Sequence, residues 1–141
     1  MYRCLIANRG EIAVRIIRAC RELNIETVAI YAKGDETSLH VSLADQAICI
    51  GEANPLDSYL NIDRIISAAK VTESNAIHPG YGFLSESTNF AKAVEDNHIH
   101  FIGPSKTTME MMGDKITARQ TVKQAGVPVI PGSNDAVQSV D

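Results

Sequence analysis

The chain has 141 residues, 45% hydrophobic and 21% charged, with a formal net charge of −4. That is the size and composition of one globular domain that buries a core without metals or disulfides. The acidic balance offers no electrostatic basis for nucleic-acid or anionic-membrane binding, and no apolar run approaches the roughly 20 residues of a membrane helix.

The segments alternate between strand and helix character. Arg3–Asn8 is a short apolar run closed by turn residues, which predicts a buried strand. Glu11–Leu23 follows with Ile12, Ile16, Ile17, Cys20 and Leu23 at helical spacing. Thr27–Tyr31 is β-branched and aromatic, a second strand, and Lys33–Ser38 is a polar loop. Ala47–Ile50 is a third strand, stopped by Gly51. Ile62–Ala69 is helical with Asn61 as its cap. Asn75–His78 is a fourth strand ending at Pro79, and Ser85–Asp96 a helix whose cap lies in Ser85-Glu86-Ser87. His98–Ile102 alternates as a fifth strand. Lys106–Met112 and Lys115–Gln124 are helical, the second capped by Asp114 and ended by Gly126. After Pro131-Gly132 the chain turns polar, as a linker does.

This order predicts βαβ units and a parallel sheet with helices on both faces. Cys4, Cys20 and Cys49 are far apart and beside apolar residues, so all three are expected in the core of a reduced, cytoplasmic protein. Neither the cysteines nor the four histidines have metal-ligand spacing.

In an open parallel sheet, ligands gather at the carboxyl ends of strands. Three segments there carry more chemistry than a plain connection needs. Asn8-Arg9-Gly10-Glu11 lies where a dinucleotide loop would lie, yet it has one glycine and a bulky arginine. That disfavours a dinucleotide domain, and the segment reads as a tight strand–helix turn with Glu11 at the positive end of the helix. His78-Pro79-Gly80-Tyr81-Gly82-Phe83-Leu84-Ser85-Glu86 joins backbone freedom to an aromatic ring and a carboxylate. It reads as a wall for a small planar ligand, or as a glycine-rich turn packed for stability. Met112-Gly113-Asp114-Lys115 opens a helix with a lysine that reaches a phosphate or simply points to water. On the first helix Arg15, Arg18 and Glu22 share a face offset from the apolar stripe. Such a face is solvated, or is a self-complementary patch of a two-fold dimer.

These segments also occur in a specific order. The run from Ala7 to Ala13, His40–Asp45, Ser58–Ile62, the nine residues His78–Glu86, Phe101-Ile102-Gly103-Pro104, Met112–Lys115 and Ala125-Gly126-Val127-Pro128 follow one another. In this order the chain resembles the N-terminal domain of biotin carboxylases, shared by acetyl-CoA, pyruvate and propionyl-CoA carboxylases. The nine-residue segment is the most specific part. One departure is Ser87, where many relatives have asparagine.

The resemblance implies a Rossmann-like pre-ATP-grasp domain over residues 1–112, with 113–141 starting the connection into an ATP-grasp segment. It implies ATP-dependent carboxylation of biotin on a carrier protein by way of carboxyphosphate, with magnesium or manganese at the phosphates. It assigns Lys115 to ATP, Tyr81 and Gly82 to the biotin and bicarbonate side of the pocket, and Glu86 to its support. It places Arg15, Arg18 and Glu22 at a homodimer interface. The biotin carboxyl carrier protein and carboxyltransferase are the implied partners. The phosphate lid, the metal-binding glutamates and the catalytic residues of the family belong to the ATP-grasp segment, so no catalytic or metal residue is expected here and the chain alone is expected to be inactive. Because the chain starts almost directly with its first strand, the acetyl-CoA carboxylase component of fatty acid synthesis is the expected parent. Pyruvate carboxylase is the alternative. A non-catalytic assembly module is a further one, whose mark would be self-association weakened by Arg18→Glu.

Overall fold

The computed structural model describes residues 2–130; the polar stretch after Pro131-Gly132 lies outside them. Two compact units divide the chain, the first ending at Gly103 and the second beginning at Pro104.

The first unit is built on five strands: β1 (Arg3–Ile6), β2 (Glu26–Ala32), β3 (Gln46–Gly51), β4 (Ala76–His78) and β5 (His100–Phe101). All neighbours pair in parallel, in the order β3-β2-β1-β4-β5. Helices α1 (Gly10–Glu22), α2 (Leu39–Leu43), α3 (Ile62–Val71) and α4 (Thr88–Asp96) make the crossovers. From β1 the chain steps outward through α1 and α2, then returns through α3 to β4 on the other side of β1. Right-handed crossovers therefore set α1 and α2 on one face and α3 and α4 on the other. Accordingly α1 packs beside α2, and α3 beside α4. This is the α/β sheet with helices on both faces that the alternating sequence predicts.

Burial on both faces explains why β1 and β2 read as unbroken apolar runs. Cys4 and Ile6 pack with Ala13, Ile16, Ile17 and Cys20 of α1. Leu5, between them, points to the opposite face and is equally buried. Each such aliphatic side chain contributes about 1.5–3 kcal/mol by leaving water. The cysteines are unpaired. A hydrogen bond to Cys20, with burial, pushes the Cys4 thiol up, so it stays protonated.

Several boundaries differ from the sequence expectation, each for a local reason. Leu23 is 69% exposed rather than part of the stripe, because α1 ends at Glu22 and the chain turns away through Asn24. Cys49 is exposed, not core, because β3 is an edge strand with only its β2 side covered. The helix expected from Ser85 begins at Thr88. Ser85 and Ser87 are tied instead into turns by N–H bonds to Gly82 and Leu84 carbonyls, and Ser87 caps the helix by accepting the Phe90 N–H at 3.2 Å. β5 is shortened to His100–Phe101 because His98 takes a left-handed backbone, φ 58°. Helix α2 and a 3-10 turn at Pro55–Asp57 lie in stretches to which the sequence pattern assigned no element. Asn61 caps α3 as anticipated, accepting the Arg64 N–H at 3.1 Å.

The second unit pairs α5 (Lys106–Gly113) with α6 (Lys115–Gln124). Ser105 and Asp114 are their N-caps, accepting from the N–H groups of Thr108 and Thr117. Gly126, at φ 77°, ends α6.

Candidate functional site

The strand order reverses between β1 and β4, so their carboxyl ends open a crevice that no crossover fills. The two strands leave the sheet in step, with Ile6 beside His78 and the Ala7 N–H bonded to the His78 carbonyl at 2.9 Å. Two of the segments singled out above begin there, after β1 and after β4.

Asn8 joins them. Its side chain is 3% exposed, and Nδ2 donates to the carbonyl oxygens of both Pro79 and Tyr81, each at 2.8 Å. Its Oδ1 accepts the Arg9 N–H at 2.9 Å. Every polar position of this buried amide is thus used except a remaining acceptor lone pair. The close approach requires glycine at position 80: φ is +67°, and a Cβ there would sit 3.0 Å from both Asn8 Nδ2 and Ile12 Cγ1. The Gly80 N–H turns back to His78 Nδ1 at 3.0 Å, and burial holds that imidazole below the usual histidine range.

The loop then rises beside α1. Tyr81 is exposed, and its hydroxyl donates to Glu11 Oε2 at 3.1 Å; that bond pushes the phenol up. Glu11 also faces Arg15 at 3.8 Å, an exposed pair of little energetic weight. Phe83 has a left-handed backbone, φ 42°, a conformation costing an L-residue about 1–2 kcal/mol. Its ring is held by stacking on Tyr59, 5.2 Å between centroids at 11°. Tyr59 is 1% exposed; burial, then the bond to Asp35, pushes its phenol well above the ordinary range.

The result is an open cleft of about 300 Å³ lined by Asn8, Arg9, Glu11, Ile12, Tyr81, Gly82 and Phe83. It offers an aromatic ring, bare backbone at Gly82, a guanidinium and a carboxylate. Such a set suits a small planar polar ligand. Tyr81 and Gly82 are thus brought together with Glu11 and Arg9. Glu86 is exposed and outside the cleft lining. Lys115 is exposed in the first turn of α6, in the second unit. Arg15, Arg18 and Glu22 are all exposed on α1. Among the described residues, no group of three or more His, Cys, Asp or Glu is placed to hold a metal. Among the same residues, no helix is long and apolar enough to cross a membrane.

The family described as biotin carboxylase, N-terminal domain, matches residues 1–109. The chain belongs to that family. Over 139 residues it is 56% identical to biotin carboxylase 1 of Bacillus subtilis, covering 99% of this chain and 31% of that protein. To the pyruvate carboxylase of the same organism it is 51% identical, covering the whole chain and 12% of the relative. Among solved structures it is similar to the biotin carboxylase domain of Hydrogenobacter thermophilus 2-oxoglutarate carboxylase, with TM-score 0.89 and 51% identity over 97% of this chain and 30% of that one. That structure is a dimer in complex with MgADP, ADP and bicarbonate. The chain therefore spans about a third of the biotin carboxylases it matches.

Sequence patterns assign no role to Asn8 and present Arg9 only as a bulky obstacle to a dinucleotide loop. Asp35 and Tyr59 were missed as site supports. Tyr59 stood in the Ser58–Ile62 motif, an aromatic residue in a polar loop, and that was its only signal.

Proposed function

We propose that this chain is the N-terminal part of an ATP-dependent biotin carboxylase, the ligase that carboxylates carrier-protein biotin with bicarbonate. The observation that carries this reading is the junction of the two loops at the switch point, where Asn8 bonds Pro79 and Tyr81 and opens the cleft beneath Tyr81 and Gly82. In this reading Tyr81 and Gly82 face biotin and bicarbonate. Glu86 supports that side, and Lys115 contacts ATP as a mobile point charge. Magnesium or manganese supplies charge neutralisation at the phosphates when bound. The contribution of these 141 residues is binding and orientation, and by themselves they do not turn over ATP.

The parent, on the finer reading, is the acetyl-CoA carboxylase component of cytoplasmic fatty acid synthesis. Its support is the 56% identity to a biotin carboxylase against 51% to the pyruvate carboxylase of the same organism. Pyruvate carboxylase is the alternative. The carrier protein and the carboxyltransferase are the partners. A homodimer uses the outward face of α1 with Arg15, Arg18 and Glu22, a reading supported by their exposure and by the dimeric relative.

The test is bicarbonate- and biotin-dependent ATP hydrolysis, measured on the carboxylase that carries this domain and on the 141-residue chain. The whole enzyme is expected to turn over, with a raised KM for biotin in Tyr81→Ala. The chain alone is expected to show none. Hydrolysis by the whole enzyme that ignores biotin would sink the assignment.

A further inference from the structure

Asp35 lies in the loop after β2, and no motif draws attention to it. Both of its oxygens are committed. Oδ1 accepts from the Arg9 guanidinium at 2.7 Å, and Oδ2 accepts the Tyr59 hydroxyl at 2.6 Å. The Tyr59 oxygen in turn accepts the Ala32 N–H at 3.0 Å. A buried ring pinned at its hydroxyl by a donor and an acceptor has one orientation. Phe83 stacks on that ring, and the Arg9 guanidinium lies 5.6 Å from its centroid. Arg9 follows Asn8, whose amide holds Pro79 and Tyr81. The contacts therefore close on themselves, from Arg9 to Asp35, Tyr59, Phe83, Tyr81 and back to Asn8.

The loop needs this support. Gly80, Gly82 and Phe83 all have positive φ; the glycines take it freely, so the backbone cost of the loop sits at Phe83, whose ring stacks on Tyr59. Its two ends are held from outside, one by Asn8 and the other by the Tyr59 ring.

We propose that Asp35 is a positioning residue that acts through Tyr59 and Arg9 to hold the Gly80–Phe83 loop in the form that lines the cleft. A neutral, shorter group at this position would leave the Tyr59 hydroxyl with one partner and release Arg9. Both the stacked ring under Phe83 and the backbone next to Asn8 would then loosen together. What the loop contacts rests on the biotin carboxylase reading; the positioning itself does not.

Amide hydrogen exchange, followed by NMR on the full chain, separates a local role from a global one. In Asp35→Ala the N–H groups of Gly80 and Ser85 are expected to exchange about tenfold faster, while those of Leu5 and Ile77 in the sheet keep their rates. Tyr59→Phe, which keeps the ring and the Arg9–Asp35 pair, is expected to fall between the two. The isosteric Asp35→Asn serves where the alanine variant does not fold. Equal acceleration in loop and sheet, or an unchanged loop, would overturn the proposal. In the whole carboxylase, Asp35→Asn is expected to raise KM for biotin more than it lowers kcat. A loosened loop with unchanged KM would keep the positioning and remove biotin as the loop's ligand.

Discussion

Thr27 gives both its backbone N–H and its hydroxyl to one oxygen of Asp45, at 2.8 and 2.7 Å. The bond ties the turn before β3 to the start of β2 and returns once more, as the Asp45 N–H donates to the Thr27 hydroxyl at 3.2 Å. These Thr27 bonds hold the Asp45 carboxyl below the usual aspartate range. A group whose folded pKa is depressed contributes stability above its unfolded value of 3.8 and loses it as pH falls through the folded one. Asp45→Asn is therefore expected to cost about 1 kcal/mol at pH 7, a modest figure for a solvent-facing acceptor. The difference from the parent chain should shrink as pH falls from 7 to well below 3.8. Urea midpoints at the two pH values measure it, and an equal loss at both would show that shape, not charge, matters.

His40 is the buried histidine. It is 1% exposed, its Nε2 lies 3.2 Å from the Ile30 carbonyl, and its Nδ1 has no partner. Burial holds the imidazole below the usual range, against an opposing pull from the Ile30 carbonyl and Asp35; Arg9 adds to the lowering. A base whose folded pKa is depressed binds fewer protons folded than unfolded. Stability is then complete above the unfolded value of 6.5 and falls as pH drops below it. The chain should lose stability between pH 7.5 and 5.5, and His40→Gln should flatten that slope. His78, lowered in the same way, leaves a smaller residual slope. Thermal melts across this window decide it, and an identical slope in the variant would exclude His40 as the source.

Four helices end in the same motif with different residues. After α1, α3, α4 and α6 a left-handed residue turns the chain, and the next N–H reaches back five residues. Examples are Ile25 to the Cys20 carbonyl and Ser74 to the Ala69 carbonyl. The turning residues are Asn24, Glu73, His98 and Gly126. Only the last is glycine, and asparagine and histidine tolerate the left-handed region better than glutamate. Glu73→Gly is thus expected to stabilise the chain by about 0.5–1 kcal/mol, the relief of strain exceeding glycine's entropy. Asn24→Gly should gain less. Denaturant unfolding compares them, and a destabilised Glu73→Gly would mean that the side chain contributes more than its strain costs.

Asn8 provides the strongest test of the site's architecture. Removing its amide in Asn8→Ala leaves the Pro79 and Tyr81 carbonyls without that donor, at a cost of about 1–3 kcal/mol. Asn8→Asp should be worse despite its similar shape, because a carboxylate oxygen would face two carbonyl oxygens in a buried place. Urea unfolding should rank the parent chain above the alanine variant and the alanine variant above the aspartate one. An aspartate variant as stable as the parent would refute this account of the loop junction.

The strands and helices were legible because local patterns report local forces. The apolar runs at β1 and β2 and the stripe on α1 mark surfaces that must leave water, and Asn61 and Asp114 announce their helices by capping chemistry. Errors fell where a neighbour decides. Cys49 has apolar companions in sequence, but edge position leaves it in solvent. Helix α4 waits for Ser87 because the preceding residues are spent on turns that carry the loop.

The sequence by itself determined the class of the fold, the order of its elements and, through the segment His78–Glu86, the family to which the chain belongs. Tertiary structure alone decided that Asn8 meets Pro79 and Tyr81, about seventy residues away, and that Arg9, Asp35, Tyr59 and Phe83 support one loop. The physical reason is the parallel sheet. Its crossovers bring loops distant in sequence to one edge, and directional hydrogen bonds and ring stacking then select partners that no local pattern encodes.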